Sequence, residues 1–217
     1  MGIPSDFSNK GLSGFHVSSS KLVKIEPHYQ NAAGQSVTSS HESCFVRIDD
    51  PHAIDSNGMR LPDAKNAAIS LVHESWLPRN HPDGTLTHGG KGAWLEYQNV
   101  LIPKNKQLWF RYNFLRFASL PTNAFAALLF FPNGDTNTAP LAPHWICCVK
   151  DLQQDQGGIY QTGWTEASVP VNYGSDFTGT VRWIVSTGHS VTSSSSIPDN
   201  TRFARPGCLL IDAIDIC

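Results

Sequence analysis

From Cys44 to the C-terminus the chain alternates short apolar runs with polar turns. Aromatic and β-branched residues dominate the runs, and polar and apolar positions alternate with period two in the clearest of them. Between Gln107 and Phe117, the side chains of Trp109, Arg111, Asn113 and Leu115 share one direction. Phe110, Tyr112, Phe114 and Arg116 share the other. The pattern predicts strands over 44–48, 68–74, 94–102, 107–117, 123–131, 144–149, 163–171, 179–187 and 208–216. PKNK and LPTN flank the aromatic strand as turns, and PNGD at 132–135 is a strong turn signal. No stretch offers an amphipathic helix of three turns. Closely spaced strands without intervening helices predict an all-β, antiparallel two-sheet sandwich.

The last run, LLIDAIDI, is apolar on both faces and so predicts a strand covered on both sides. Simple alternation groups Leu210, Asp212, Ile214 and Ile216 on one face. Leu209, Ile211, Ala213 and Asp215 fall on the other. Asp212 then stands among branched aliphatics, where an unpaired carboxylate would be costly. Residues 1–41 are rich in Ser, Gly and Asn and read as an N-terminal arm, or as edge strands around FHV and KLVKI. Residues 42–217 form the sandwich domain. Three connections are long and polar, 77–92, 133–143 and 188–207, and such loops commonly carry function.

Composition narrows the partners. The 217 residues carry a net charge of -2, only 16% are charged, and no Lys/Arg block occurs, so a nucleic-acid partner is not expected. The longest strongly apolar run, 124–131, is too short to span a membrane as a helix. The N-terminus lacks the basic and apolar segments of a signal peptide, and Asp6 breaks the myristoylation pattern begun by Gly2. The expected location is therefore the cytoplasm, or outside by a non-classical route. Five cysteines, two of them adjacent and none in a CxxC pair, argue against a disulfide framework.

The order GWTEASVPV, FTGTVRWIVSTG, then PGCLLIDAIDI resembles the carbohydrate-binding-module type of jelly roll in the galactose-binding-domain-like group. The likeness is carried mainly by residues 163–216. The earlier AAISLV and YQNVLIPKNKQLWFRYNF are compatible with the same strand order. The resemblance implies a jelly-roll sandwich, lectin-like glycan binding through loops or one sheet face, and in many members a structural calcium. It implies that Asp212 belongs to a hydrogen-bond or calcium arrangement near the first strand. Glu42 is its partner if first and last strands are neighbours, with Asp49 and Asp50 as further oxygens. The competing reading leaves Asp212 hydrogen-bonded to backbone and side chains with no metal.

Other residues offer chemistry. His81, Asp83 and His88 lie in one loop and suit a transition metal or sugar hydroxyls, although their spacing matches no metal signature. Trp76 and Trp145, each beside a Pro-bearing loop, could stack on sugar rings, with Asp135, Asn137 or Arg202 for hydroxyls. Tyr160 is a further aromatic near a loop. Trp164 and Trp183 read as core. For catalysis there is no GxSxG or HExxH motif, and Glu96 and Glu166 are not tied into one grouping. Strand alternation also sets His144 and Cys147 on opposite faces, against a nucleophile–base pair. Non-catalytic recognition of a glycan or cell-surface ligand is the expected function. The alternatives are a homo-oligomeric or larger structural assembly, as in a virion, secretion system or toxin, and a polysaccharide-active enzyme.

Overall fold

A run of residues that is apolar at every position needs cover on two sides, and the centre of a layered sheet supplies it. The computed structural model describes residues 3, 7–20, 22–30, 36–41, 43–49, 70–71, 91–116, 124–148, 151–156, 158–171, 174–186 and 207–217. After one helical turn, α1 (Phe7–Lys10), come β1 (Phe15–Val17), β2 (Val23–Glu26), β3 (His28–Gln30), β4 (Ser36–Thr38) and β5 (Phe45–Asp49). The long strands follow as β6 (Ser70–Leu71, short), β7 (Lys91–Ile102), β8 (Gln107–Arg116), β9 (Phe125–Pro132) and β10 (His144–Cys148). The chain closes with β11 (Gln153–Gln154), β12 (Tyr160–Gln161), β13 (Thr165–Pro170), β14 (Phe177–Ser186) and β15 (Gly207–Ile216). No helix among the described residues is long and apolar enough to cross a membrane.

Every strand pair is antiparallel. One sheet runs β1-β7-β14-β9-β10, with β6 also on β7. The other runs β11-β12-β8-β15-β5-β2, with β13 also on β8. β7, β9 and β14 belong to the first sheet and β8, β13 and β15 to the second, so the chain crosses between layers repeatedly, as a jelly roll does. The expected neighbours β5 and β15 pair directly, Leu209 opposite Ile48 and Ile211 opposite Val46. Residues 1–41 supply an edge strand to each sheet, and Phe7 and Leu22 enter the main core.

The core lies between the inner faces. Leu95, Val181, Trp183, Leu128 and Phe130 meet Val46, Phe110, Phe114, Leu209 and Ile211. Phe110 and Trp183 touch edge to face across the layers, with ring centroids 5.9 Å apart. Phe110, Tyr112 and Phe114 point inward as the alternation of β8 predicts. Each outer face carries a smaller apolar cluster of its own. Phe125, Ala127, Leu129, Phe131 and Ile184 form one. Phe45, Leu115, Cys208 and Leu210 form the other, with Tyr29 and Val37 of the β3–β4 hairpin packed over them.

Bulges correct two expectations, because one extra residue reverses the faces beyond it. The β15–β8 register slips between Ile211 and Ala213, leaving Asp212 as the extra residue. Leu210 therefore packs outward, whereas Ile214 joins the core with Leu209 and Ile211, and Ile216 packs against it. On β10 the slip falls between Trp145 and Cys147. His144 stands opposite Leu128 and Cys147 opposite Ala126, both inward positions, so these two share a face instead of opposing one another. Of the strand predicted at 68–74, Ser70–Leu71 lies within the described residues.

A third slip, between Gly179 and Val181, explains the glycine of GTVRW. A Cβ there would be driven into the Phe131 carbonyl oxygen and would crowd the Phe177 ring. Backbone cannot yield as a flexible side chain does. Gly179→Ala is expected to cost about 3 kcal/mol, a fall in Tm of roughly 6–12 °C for a chain of this length. Thermal unfolding measures it, and an unchanged Tm would refute the packing described here.

Candidate functional site

Asp212 is fully buried on the outer side of β15. Its carboxylate accepts four hydrogen bonds from the segment that leaves β4. Ser39 Oγ reaches Oδ1 at 2.9 Å. Ser40 N, Ser40 Oγ and His41 N reach Oδ2 at 2.7, 2.6 and 2.7 Å. Two backbone N–H groups and two hydroxyls thus stabilise the charge, which burial would otherwise make untenable. A calcium site needs a cage of oxygens with lone pairs turned inward. The described groups around Asp212 turn N–H and O–H toward its carboxylate rather than further oxygen lone pairs. Glu42 and Asp50 lie outside the described residues. Asp49 faces Arg47, whose Nε donates to its Oδ1 at 2.7 Å. Burial raises the Asp49 carboxyl above its usual range, with Arg47 opposing the shift. Among the described residues no three His, Cys, Asp or Glu side chains gather as a metal site would require.

Beyond Asp212 the outer face of the second sheet opens. Along β8, Leu115 and Asn113 are buried, whereas Arg111 and Trp109 are part-exposed. Cross-strand pairing builds two rows there. Ser168 of β13 and Asp215 of β15 flank Trp109, and Glu166 and Ala213 flank Arg111. Ser168, Glu166 and Asp215 are exposed. Glu166 Oε1 lies 3.6 Å from Arg111 Nε, an ion pair longer than a hydrogen bond, and that nitrogen is buried without a hydrogen-bond partner. At the closed end, Asn113 donates from Nδ2 to Gln161 Oε1 at 2.6 Å, and Gln161 donates in turn to Asp155. Trp164, expected in the core, instead packs on Phe45 and donates Nε1–H to Thr38 O at 2.9 Å. It roofs the buried half of this face. The open half of this face thus sets a part-exposed indole beside hydroxyl, carboxylate and guanidinium groups, and is called the trough below.

The opposite outer face is differently built. Trp94, Ile184, Ala127 and Trp145 form one cross-strand row over four strands. Trp145 stacks on Phe125 with centroids 4.8 Å apart. In the next row Arg182 Nε donates to Glu96 Oε2 at 2.7 Å, and Gln98 Nε2 donates to Glu96 Oε1 at 2.8 Å. The guanidinium lies 4.5 Å from the Trp94 ring centroid and 4.8 Å from that of Phe131. Glu96 and Arg182 are thereby occupied with one another. Glu96 and Glu166 sit on opposite outer faces, with both sheets between them, and cannot flank one glycosidic bond.

The predicted binding residues do not converge among those the structure describes. Asp135 caps its own turn, accepting from Asn137 N at 3.0 Å. Trp145 is level with Ala127, five residues from the end of β9 and so roughly 17 Å from that turn. Trp76, His81, Asp83, His88 and Arg202 lie outside the described residues. Trp109 was not among the expected binding residues. The alternation groups it with Arg111, Asn113 and Leu115 without saying which side is outward, and its neighbours Ser168 and Asp215 come from distant strands. His144 and Cys147 share a face, yet burial, the Asp151 carboxylate and Cys148 hold the Cys147 thiol well above its usual range, the reverse of an activated nucleophile.

No protein-family model matches the chain, and no curated protein matches it. Among solved structures it is similar to a carbohydrate-binding module specific for non-crystalline cellulose, CBM28, at 12% identity and a TM-score of 0.48, over 99% of this chain and 93% of that one. It is also similar to CBM27-1 of Caldicellulosiruptor saccharolyticus, solved with mannohexaose, at 8% identity and a TM-score of 0.46, over 99% and 96%. A cleaved adhesin domain of Lys-gingipain from Porphyromonas gingivalis gives 10% identity and 0.45, over 100% and 99%. Carbohydrate-binding modules are thus among the structures this chain is similar to.

Burial lowers the pKa of half-buried His144 below its ordinary 6.5. The unfolded chain then binds a proton that the folded chain still refuses, so this group's contribution to stability is full at neutral pH and is lost as pH falls below 6.5. Urea unfolding of wild type and His144→Gln at pH 7 and 5.5 is expected to show a smaller acid-induced loss in the variant. Equal losses would show that His144 keeps its ordinary affinity for the proton.

Proposed function

We propose that the protein recognises a neutral carbohydrate in the trough on the outer face of its second sheet, by binding and not by catalysis. The observation that carries this reading is the part-exposed Trp109 indole between Ser168 and Asp215. The C–H face of a pyranose is apolar and its rim is polar, so it matches an aromatic surface edged by hydrogen-bonding groups. Asp215 and Glu166 can accept from sugar hydroxyls, and Arg111 can donate to ring or hydroxyl oxygens. With two carboxylates to one guanidinium, the trough favours neutral glycans over uronates or phosphates. The glycans named for two similar structures, non-crystalline cellulose and mannohexaose, supply first probes.

Assembly through strand edges has less support. The β10 edge is broken by its bulge, β13 ends in Pro170, and β2 carries Lys24, all features that discourage edge-to-edge pairing.

Isothermal titration with cellohexaose, mannohexaose and a panel of other neutral oligosaccharides tests the proposal. Wild type is expected to bind at least one. Trp109→Ala should weaken that binding about tenfold or more, since one stacked aromatic contributes on the order of 1–3 kcal/mol. Absence of binding across the panel by folded wild type, or equal binding by Trp109→Ala, would refute it.

A further inference from the structure

The four described donors to Asp212 come from one short segment. The β3–β4 hairpin that covers the buried half of the second sheet already has its own attachments. Tyr29 and Val37 sit in the apolar cluster, Arg47 lies 4.4 Å from the Tyr29 ring centroid, and Trp164 holds Thr38 O. Asp212 fixes something further along, the backbone of Ser40 and His41. A leucine at this position would carry no desolvation cost, but it could not fix two successive N–H groups in one place.

The place matters. Asp212 is the bulged residue between Ile211, opposite Tyr112, and Ala213, opposite Arg111. The segment it holds therefore passes over β15 at the level of Arg111, where the closed half of the face gives way to the open trough. β13, with Glu166 and Ser168, borders the other side. Both serine hydroxyls of the segment are committed to Asp212. His41 donates only its backbone N–H there, and its side chain is exposed.

We infer that Asp212 is a positioning residue for the saccharide site, fixing Ser40 and His41 as the trough's second wall so that the His41 imidazole meets the bound sugar. The inference rests on the carbohydrate reading of the trough. A neutral imidazole both donates and accepts, which suits a vicinal hydroxyl pair. A ring stacked on Trp109 and extended by one neighbour toward Arg111 comes within its reach.

Titrations with cellohexaose and mannohexaose, paired with Tm, test the inference on wild type, His41→Ala, Asp212→Asn and the double variant. His41→Ala is expected to weaken binding about fivefold, the effect of one hydrogen bond, with Tm unchanged. Asp212→Asn, measured well below its own Tm, should weaken binding at least as much. The double variant should then bind no more weakly than Asp212→Asn, because a misplaced His41 has nothing left to lose. Additive losses would overturn the positioning role. Wild-type affinity in His41→Ala, alongside loss in Trp109→Ala, would overturn the inference and leave the carbohydrate reading standing. Failure of wild type to bind any neutral glycan removes both. If Asp212→Asn does not fold, Ser40→Ala removes one of the four bonds. It must then weaken binding in the wild-type but not the His41→Ala background, and any other pattern overturns the inference.

Discussion

A carboxylate shut away from water must find its donors inside the protein, and the described donors to Asp212 lie in residues 39–41. That requirement ties the closing strand to a segment some 170 residues earlier in the chain. It also settles what lies on the outer side of β15. Cys208 and Leu210 are apolar on that side and need cover, and the hairpin that precedes the Asp212 contacts supplies it with Tyr29 and Val37. Removing the carboxylate's donors would leave a buried charge unpaired, a cost of several kcal/mol that the cover alone would not offset.

The same logic governs the other buried charges. Glu96 and Arg182 meet on the first sheet's outer face, with Trp94 and Phe131 on the guanidinium and Gln98 on the second carboxylate oxygen. Arg47 lies between Asp49 and Glu26 and above Tyr29. Each pair sits beside an apolar cluster rather than within the central core. Water is excluded there, yet the charges still face partners on adjacent strands. Such pairs add little net stability over aliphatic residues, but they permit few alternative registers, because a slip of one residue would turn the charges inward.

The sequence made the fold legible where alternation survives. In β8, residues 108–115 point as period two requires, and the pairing of β5 with β15 follows from their places at the start and end of the sandwich. The reading failed where pairing departs from one residue per residue. The bulges at Asp212 and Ile146 reverse the faces beyond them, and a bulge is set by hydrogen bonding between strands, which a single strand's pattern does not reveal. Short strands such as β3 and β12 have too few residues to show a period. The candidate site was less visible still. Trp109 was grouped correctly with Arg111 and Asn113, but nothing in one strand says that Leu115 is roofed and Trp109 is not. That difference depends on Trp164 and the hairpin reaching one end of the face only.

The part-exposed indoles of the two outer faces, Trp94 and Trp145 on one and Trp109 on the other, differ in their neighbours. On the first sheet, Trp94 and Trp145 are engaged by Arg182 and Phe125, and the residues between them, Ile184 and Ala127, are fully buried. On the second, cover runs from Leu115 to Asn113 and then stops, so Trp109 and Arg111 meet solvent beside exposed polar neighbours. The point where cover stops is the level of Asp212. Its bulge ends the regular outward alternation of β15, and its four bonds hold the last covering segment in place. One residue therefore closes the buried half and defines the edge of the open half. A carboxylate that looked misplaced among aliphatics is better understood as the boundary between them.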